Sequence, residues 1–254
     1  MSSSLEDFDS FKNSCFDEIS LVQDSFITLY DINSYENWFY DDGIGVFNFK
    51  SDDGRDLYFK YVKVGSFSTT TSTWNWSWNN ELTTYTVKRG IEKVIAFGNT
   101  HGFQELTKGI IDGEEYTGWD CTVVTAKLLN AIGMYRIPHE HLFIYFIFTS
   151  ELNDSEYANL KSKSIECEKH ESGLVAYVCK HLINNDNIGF HEAFESNPLI
   201  EQDDDYQAWC DVCENERLKE GEWNDTSMAF ADIKLVCDQC YFEIKERNQN
   251  NKSH

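Results

Sequence analysis

The sequence predicts an α+β fold, an N-terminal antiparallel sheet with packed helices followed by a small cysteine- and histidine-rich domain. Three observations carry this. One long helical periodicity opens the chain, alternating apolar and polar segments follow it up to residue 80, and six of the eight cysteines fall after residue 166. With 254 residues, 41% hydrophobic and 15% aromatic, the chain has the apolar material for packed cores rather than wholesale disorder.

The elements follow in order. Residues 5–32 place Phe8, Phe11, Cys15, Ile19, Val22, Phe26 and Leu29 at spacings of three and four, which makes a helix with one apolar face to lay on a sheet. GIGVFNFKS, RDLYFKYVKVGSF and TSTWNWSWNN then alternate, with SDDG as a turn between the first two, so an antiparallel meander is expected. In the last of these, Trp74, Trp76 and Trp78 share one strand face and are expected to fill the core. Residues 91–97, 102–106 and 123–132 read as helical, and the apolar run 142–148 as a buried strand, since a membrane-spanning helix needs about 20 apolar residues. Trp38, Trp119, Trp209 and Trp223 stand alone and are read as packing residues. A polar stretch, 150–164, sets the boundary between a domain at 1–160 and a second at 161–247, with a polar tail at 248–254. Leu152, Tyr157 and Leu160 would alternatively dock that stretch as a helix on the first domain.

The formal charge of −23 is spread along the chain, with 24 acids against 11 bases in residues 1–160 and 20 against 10 thereafter. Neither part offers the clustered cations that neutralise phosphates, so nucleic acid and anionic membrane surfaces are excluded as natural partners and a basic protein is favoured. Glu6, Asp7 and Asp9 stand where a secretory signal needs positive charge. A cytoplasmic location is therefore expected. In that reducing setting, closely spaced cysteines are metal ligands rather than disulfide partners.

Cys210 and Cys213 form one CxxC pair, Cys237 and Cys240 another, the spacing at which a tight turn presents two thiolates to one ion. Two such pairs predict a structural zinc site, since zinc favours tetrahedral thiolate ligation in closed sites. Gly221 turns the chain between them, residues 229–236 supply a strand, and the second pair opens a helix bearing Lys245 and Arg247 near its end, giving a treble-clef-like zinc domain. Upstream, Cys167 with His170 and Cys179 with His181 complete a second set of four. The preferred partition is sequential, with the four later cysteines at one ion and the four earlier ligands at the other. A cross-brace would instead join Cys167 and His170 to Cys210 and Cys213, and Cys179 and His181 to Cys237 and Cys240.

Other candidates are sparser. His139 and His141 flank Glu140 before the apolar strand, where alternation would turn both histidines to one side, but no third ligand has a matching spacing. No GxGxxG, P-loop, GxSxG or HExxH is present.

Residues 16–150 resemble a family of uncharacterised bacterial domains marked by a W-x-W-x-W strand, through VGSFSTTTSTWNWSWNN, AFG at 96–98 and TGWDCTVVTAKLLNAIGMYRIP. Residues 167–245 resemble a small bacterial Cys/His module, through CEKH, GLVAYVCKHL, AWCDVCE, GEW and LVCDQCY. Modules of this kind resemble parts of toxin-immunity systems, which implies a zinc-binding protein that acts by binding a basic toxin. A zinc-dependent hydrolase with an open metal position is the alternative.

Overall fold

The first element is the long helix that the apolar spacing predicts. In the computed structural model, which describes residues 7–52, 54–80, 83, 85–193 and 206–249, it runs from Phe8 to Tyr30 (α1). Asp7 caps it by accepting from the Ser10 N–H at 2.8 Å, and Asp31 ends it in the left-handed region. Residues 5 and 6 of the expected helix and residues 250–254 of the expected tail lie outside the described residues. The chain divides into two units, Met1–Asp41 with Gly45–Tyr157, and Asp42–Ile44 with Ala158–His254.

In the first unit, β1 (Asn37–Asp41), β2 (Val46–Lys50), β3 (Leu57–Ser68), β4 (Thr73–Trp76) and β5 (Ile110–Asp112) follow one another in an antiparallel sheet. α2 (Tyr85–His101) and α3 (Glu115–Leu128) precede a hairpin of β6 (Gly133–His139) and β7 (Leu142–Leu152). β3 organises the sheet. Its first residues pair with β2, its last with β4, and β7 runs along its whole other edge, with register shifts at Lys60/Tyr61 and Lys63/Gly65. Such irregularities bend and twist a strand, which lets one long strand serve neighbours in different directions. Gly65 is required where the sheet closes tightly, because a Cβ there would sit 2.5 Å from the Trp74 ring.

Aromatic residues fill the core. Phe47, Phe49, Phe59, Phe146 and Phe148 are fully buried, and Phe26 of α1 packs on Phe59 and Phe148 with ring centroids 5.3 and 5.4 Å apart. Trp74 and Trp76 are buried as expected, but the strand ends at Trp76, and Trp78 belongs to a 3-10 turn, Ser77–Asn79, so the three indoles do not share a strand face. Trp38 is more exposed than the packing reading required, at 37%, because β1 is an edge strand, though its ring still stacks on Phe47. α3 begins well before residue 123 and stops at Leu128. Asn130 then takes a positive φ and the chain turns into β6.

The second unit is built on β9 (Glu171–Val178). β8 (Ser164–Cys167) and β12 (Lys234–Cys237) pair with it antiparallel, while β11 (Gln207–Trp209) pairs with it in parallel and carries β10 (His191–Glu192) on its other side. The helices are α4 (Asp154–Ser162), which begins in the first unit and leads into β8, then α5 (Lys180–Asn184), α6 (Asp211–Glu220), α7 (Asp225–Ala231) and α8 (Asp238–Gln249). The residues expected as one strand at 229–236 divide between the end of α7, which stops at a left-handed Asp232, and the start of β12. The α+β class holds, and the second unit has the hairpin knuckle and helix-opening ligand pair of a treble-clef-like module.

Candidate metal centres

Each end of β9 carries one pair of candidate ligands. Cys167 ends β8, and His170 closes the hairpin turn just before β9, where Glu171 adopts a φ of 62° and the Ser172 N–H reaches the His170 carbonyl at 2.7 Å. Cys179 immediately follows β9 as the N-cap of α5, with His181 in its first turn. Eight extended residues separate the pairs, about 26 Å at strand rise.

The direction of the neighbouring strands decides which CxxC pair meets which end. β11 runs parallel to β9, with Ala208 opposite Val178 and the Cys179 N–H bonded to the Ala208 carbonyl at 3.0 Å, so its continuation, Cys210, emerges beside Cys179. β12 runs antiparallel, with Cys237 opposite Val175, so it delivers Cys237 and Cys240 to the other end, beside Cys167 and His170. Both pairs then open helices. Cys210 is the N-cap of α6, Cys237 precedes α8, and the Cys240 N–H lies 3.4 Å from Cys237 Sγ, in the region where a helix N-terminus favours negative sulfur.

The eight expected ligands therefore gather as Cys167, His170, Cys237 and Cys240, and as Cys179, His181, Cys210 and Cys213, the four donor atoms of each group lying within 4.8 Å of one another. This corrects both sequence partitions. Cys210 and Cys213 do not join Cys237 and Cys240, and the cross-brace pairs are not formed either. The arrangement is nested, and each group has three sulfurs and one imidazole.

The distances fit a tetrahedral ion. Zinc–sulfur bonds of about 2.3 Å and zinc–nitrogen bonds of about 2.0 Å give a tetrahedron with S···S edges of about 3.8 Å and N···S edges of about 3.5 Å. In the first group Cys167 Sγ and Cys240 Sγ are 3.8 Å apart, and His170 Nδ1 stands 3.7, 3.3 and 3.4 Å from the sulfurs of Cys167, Cys237 and Cys240. In the second, His181 Nδ1 stands 3.2 Å from Cys213 Sγ.

The electrostatics point the same way. At Cys210, a hydrogen bond from the Cys179 thiol outweighs burial and, with the backbone N–H groups of Cys213 and Val212, brings the pKa down to about 5. Its neighbours respond oppositely. Donation to Cys210 and then burial push Cys179 up, and burial followed by the Cys210 charge pushes Cys213 up to about 11. In the other group burial opposes ionisation of Cys167, but the backbone N–H groups of Lys169 and His170 and the thiols of Cys237 and Cys240 bring it to about 7, while burial raises Cys237 and Cys240. A cation among the three sulfurs of each trio would favour the charged form of all of them.

Several residues around the groups were not legible beforehand. Glu243, one turn beyond Cys240 on α8, has Oε1 3.1 Å from His170 Nε2 and Oε2 2.5 Å from Lys169 Nζ. A proton on Nε2 leaves the Nδ1 lone pair facing the sulfurs, the carboxylate–histidine arrangement that orients metal-bound imidazoles. Burial works against the charge of Glu243, yet Lys169 and His170 hold its pKa below the usual range. His181 has an apolar neighbour instead, the Phe230 ring of α7, at 5.2 Å. Lys245, expected near the helix end as a dipole partner, reaches back to buried Glu192 at 2.6 Å, which also accepts from Tyr241 at 2.8 Å.

Among the described residues His139 and His141 join no such cluster. Both are exposed at the β6–β7 hairpin, where Glu140 takes a φ of 50°, so strand alternation does not align them. No helix among the described residues is long and apolar enough to cross a membrane.

A profile described as a family of unknown function (DUF6882) matches residues 9–151. No curated protein and no solved structure matches the chain. The match spans more than half of the sequence and takes in α1 and the whole sheet of the first unit, and the chain therefore belongs to DUF6882.

Proposed function

We propose that this protein acts by binding a protein partner, with its second unit locked by two structural zinc ions. The observation that carries the zinc reading is the pair of complete donor sets, each with three sulfurs and one imidazole nitrogen within 4.8 Å. Four protein ligands make a closed site, and closed Cys3His sites belong to structural rather than catalytic zinc. A hydrolase needs a metal with a position left for water. Neither group leaves one by ligand count, and the hairpin histidines bring no third donor among the described residues, so binding is favoured over turnover.

The partner is a basic protein, by charge complementarity with a chain of net charge −23. Toxin neutralisation is the specific role that the resemblance of the modules suggests, in a reducing cytoplasm where the thiols remain free for metal. Metal analysis of protein purified without chelator tests the first part: two zinc ions per chain are expected, and negligible zinc sinks the reading. Cobalt substitution tests the partition, because three-thiolate sulfur-to-metal absorption at both sites is expected, whereas one four-thiolate site would restore the sequential grouping. Co-purification followed by binding kinetics tests the partner. Association should slow as salt rises and the field's reach falls to about 8 Å at 0.15 M, with dissociation changed less. An association rate indifferent to salt counts against a basic partner.

A further inference from the structure

The two groups differ in what solvent can reach. Cys179, Cys210 and Cys213 are fully buried, whereas in the other group Cys237 is buried and both Cys167 and Cys240 are half-exposed. The two half-exposed cysteines are also neighbours, their sulfurs 3.8 Å apart although 73 residues separate them in the chain. A disulfide requires about 2.05 Å between sulfurs, so oxidation must draw the two side chains together from this starting distance. An accessible thiolate beside a second thiolate able to resolve it is the arrangement on which reversible cysteine oxidation depends.

We infer that Cys167 and Cys240 are a reversible oxidation site, at which hydrogen peroxide joins the two sulfurs and expels one zinc ion while the buried group keeps its own. The inference rests on the zinc reading above. One thiolate sulfur attacks a peroxide oxygen, the O–O bond breaks, and a sulfenic acid and a hydroxide result. The second thiolate attacks the sulfenic sulfur, the S–S bond forms, the S–O bond breaks, and a second hydroxide leaves. The sulfurs have together lost two electrons, and the peroxide has gained them. Zinc is then left with Cys237 and His170, half of its donor set, and dissociates. A dithiol returns the two electrons, and zinc can rebind.

Geometry also sets the selectivity. Cys237, at 1% exposure, is the poorer target. In the other group peroxide meets no exposed sulfur, and Phe230 lies against the His181 ring.

The experiment uses the full chain loaded with zinc. Peroxide is added, released zinc is followed with a chromogenic chelator, and the product is mapped by peptide mass spectrometry. One ion per chain should leave in a first phase roughly tenfold or more faster than the second. The mapped bond should join Cys167 to Cys240, and dithiothreitol with added zinc should restore two ions. Release of both ions together, earlier loss of the buried ion, a disulfide between Cys237 and Cys240, or failure to recover zinc on reduction would each overturn the proposal. Protein that holds no zinc before peroxide is added overturns the zinc reading itself, and the two failures are distinguished at that step. Cys167→Ser would weaken the site directly, so the wild-type disulfide map decides.

Discussion

The two donor groups have the same ligand chemistry and opposite surroundings. At the Cys179 group the sulfurs are buried, and the imidazole lies against a phenylalanine. At the Cys167 group two of the cysteines are half-exposed, and the imidazole leans on a carboxylate that is itself paired with a lysine. The difference separates two ways of holding an ion. One excludes water and competing ligands by apolar cover, and the other orients its histidine through a charged second layer that solvent can reach. Burial slows exchange and attack, while polar support tunes affinity and can be altered one charge at a time.

The largest expected effect comes from breaking the buried group. Structural zinc contributes apparent binding energies of about 10 to 16 kcal/mol in small modules, comparable to the whole stability of a domain. Cys213→Ser should therefore expose residues 158–249 to limited proteolysis while the DUF6882 unit survives as a fragment. Loss of the entire chain would mean that the two units do not fold separately. Next comes Glu243→Gln, which keeps the shape of the side chain and removes its charge. It should weaken zinc at the Cys167 group by roughly 10- to 100-fold, read by competition with a chelator, and leave the other ion unaffected. Equal weakening at both would break the comparison.

Phe230→Ala sharpens it from the other side. The ring is 37% exposed, so the cost in stability should be only about 1 kcal/mol, with faster zinc exchange at His181 and none at His170. The smallest effect is expected at Glu214, the residue after Cys213. Hydrogen bonds from Arg217, working against burial and helped by the Trp209 N–H at 2.7 Å, hold its pKa down to about 2. A depressed carboxyl stabilises the fold above its ordinary pKa and loses that contribution as pH falls toward the folded value. The stability difference between wild type and Glu214→Gln should therefore be about 1 kcal/mol near neutrality and shrink as pH falls from about 5 to about 2.

How much of this could be read from sequence follows from what each residue type reports. The eight residues that gather in the two groups were legible, because cysteine and histidine at two- and three-residue spacings have few other uses in a reducing setting. Their partition was not. It depends on β11 running parallel and β12 antiparallel to β9, and the three residues of β11, Gln207 to Trp209, carry no mark of direction. α1 was legible because its apolar positions keep one period for six turns. β6 was not, since Gly133 and Pro138 interrupt the strand pattern. Its place beside β7, with no second partner strand among the described residues, is where a proline lacking an N–H is tolerated. Glu243 was invisible for a different reason: an acid in an acidic chain stands out only once the imidazole beside it is seen.

Nesting gives the second unit an order of assembly. The loop closed between His181 and Cys213 spans 32 residues and lies wholly inside the loop of 67 residues between His170 and Cys237. Closing the inner loop roughly halves the free length of the outer one, which lowers its closure cost by only about 0.6 kcal/mol. Timing matters more than that energy. A chain emerging from the ribosome completes the inner ligand set at residue 213, while Cys167 and His170, made earlier, wait for a partner pair that arrives at residues 237 and 240. On the zinc reading the outer clasp is the last to close, and a chain cut short between these points would carry one finished ligand set and one open one.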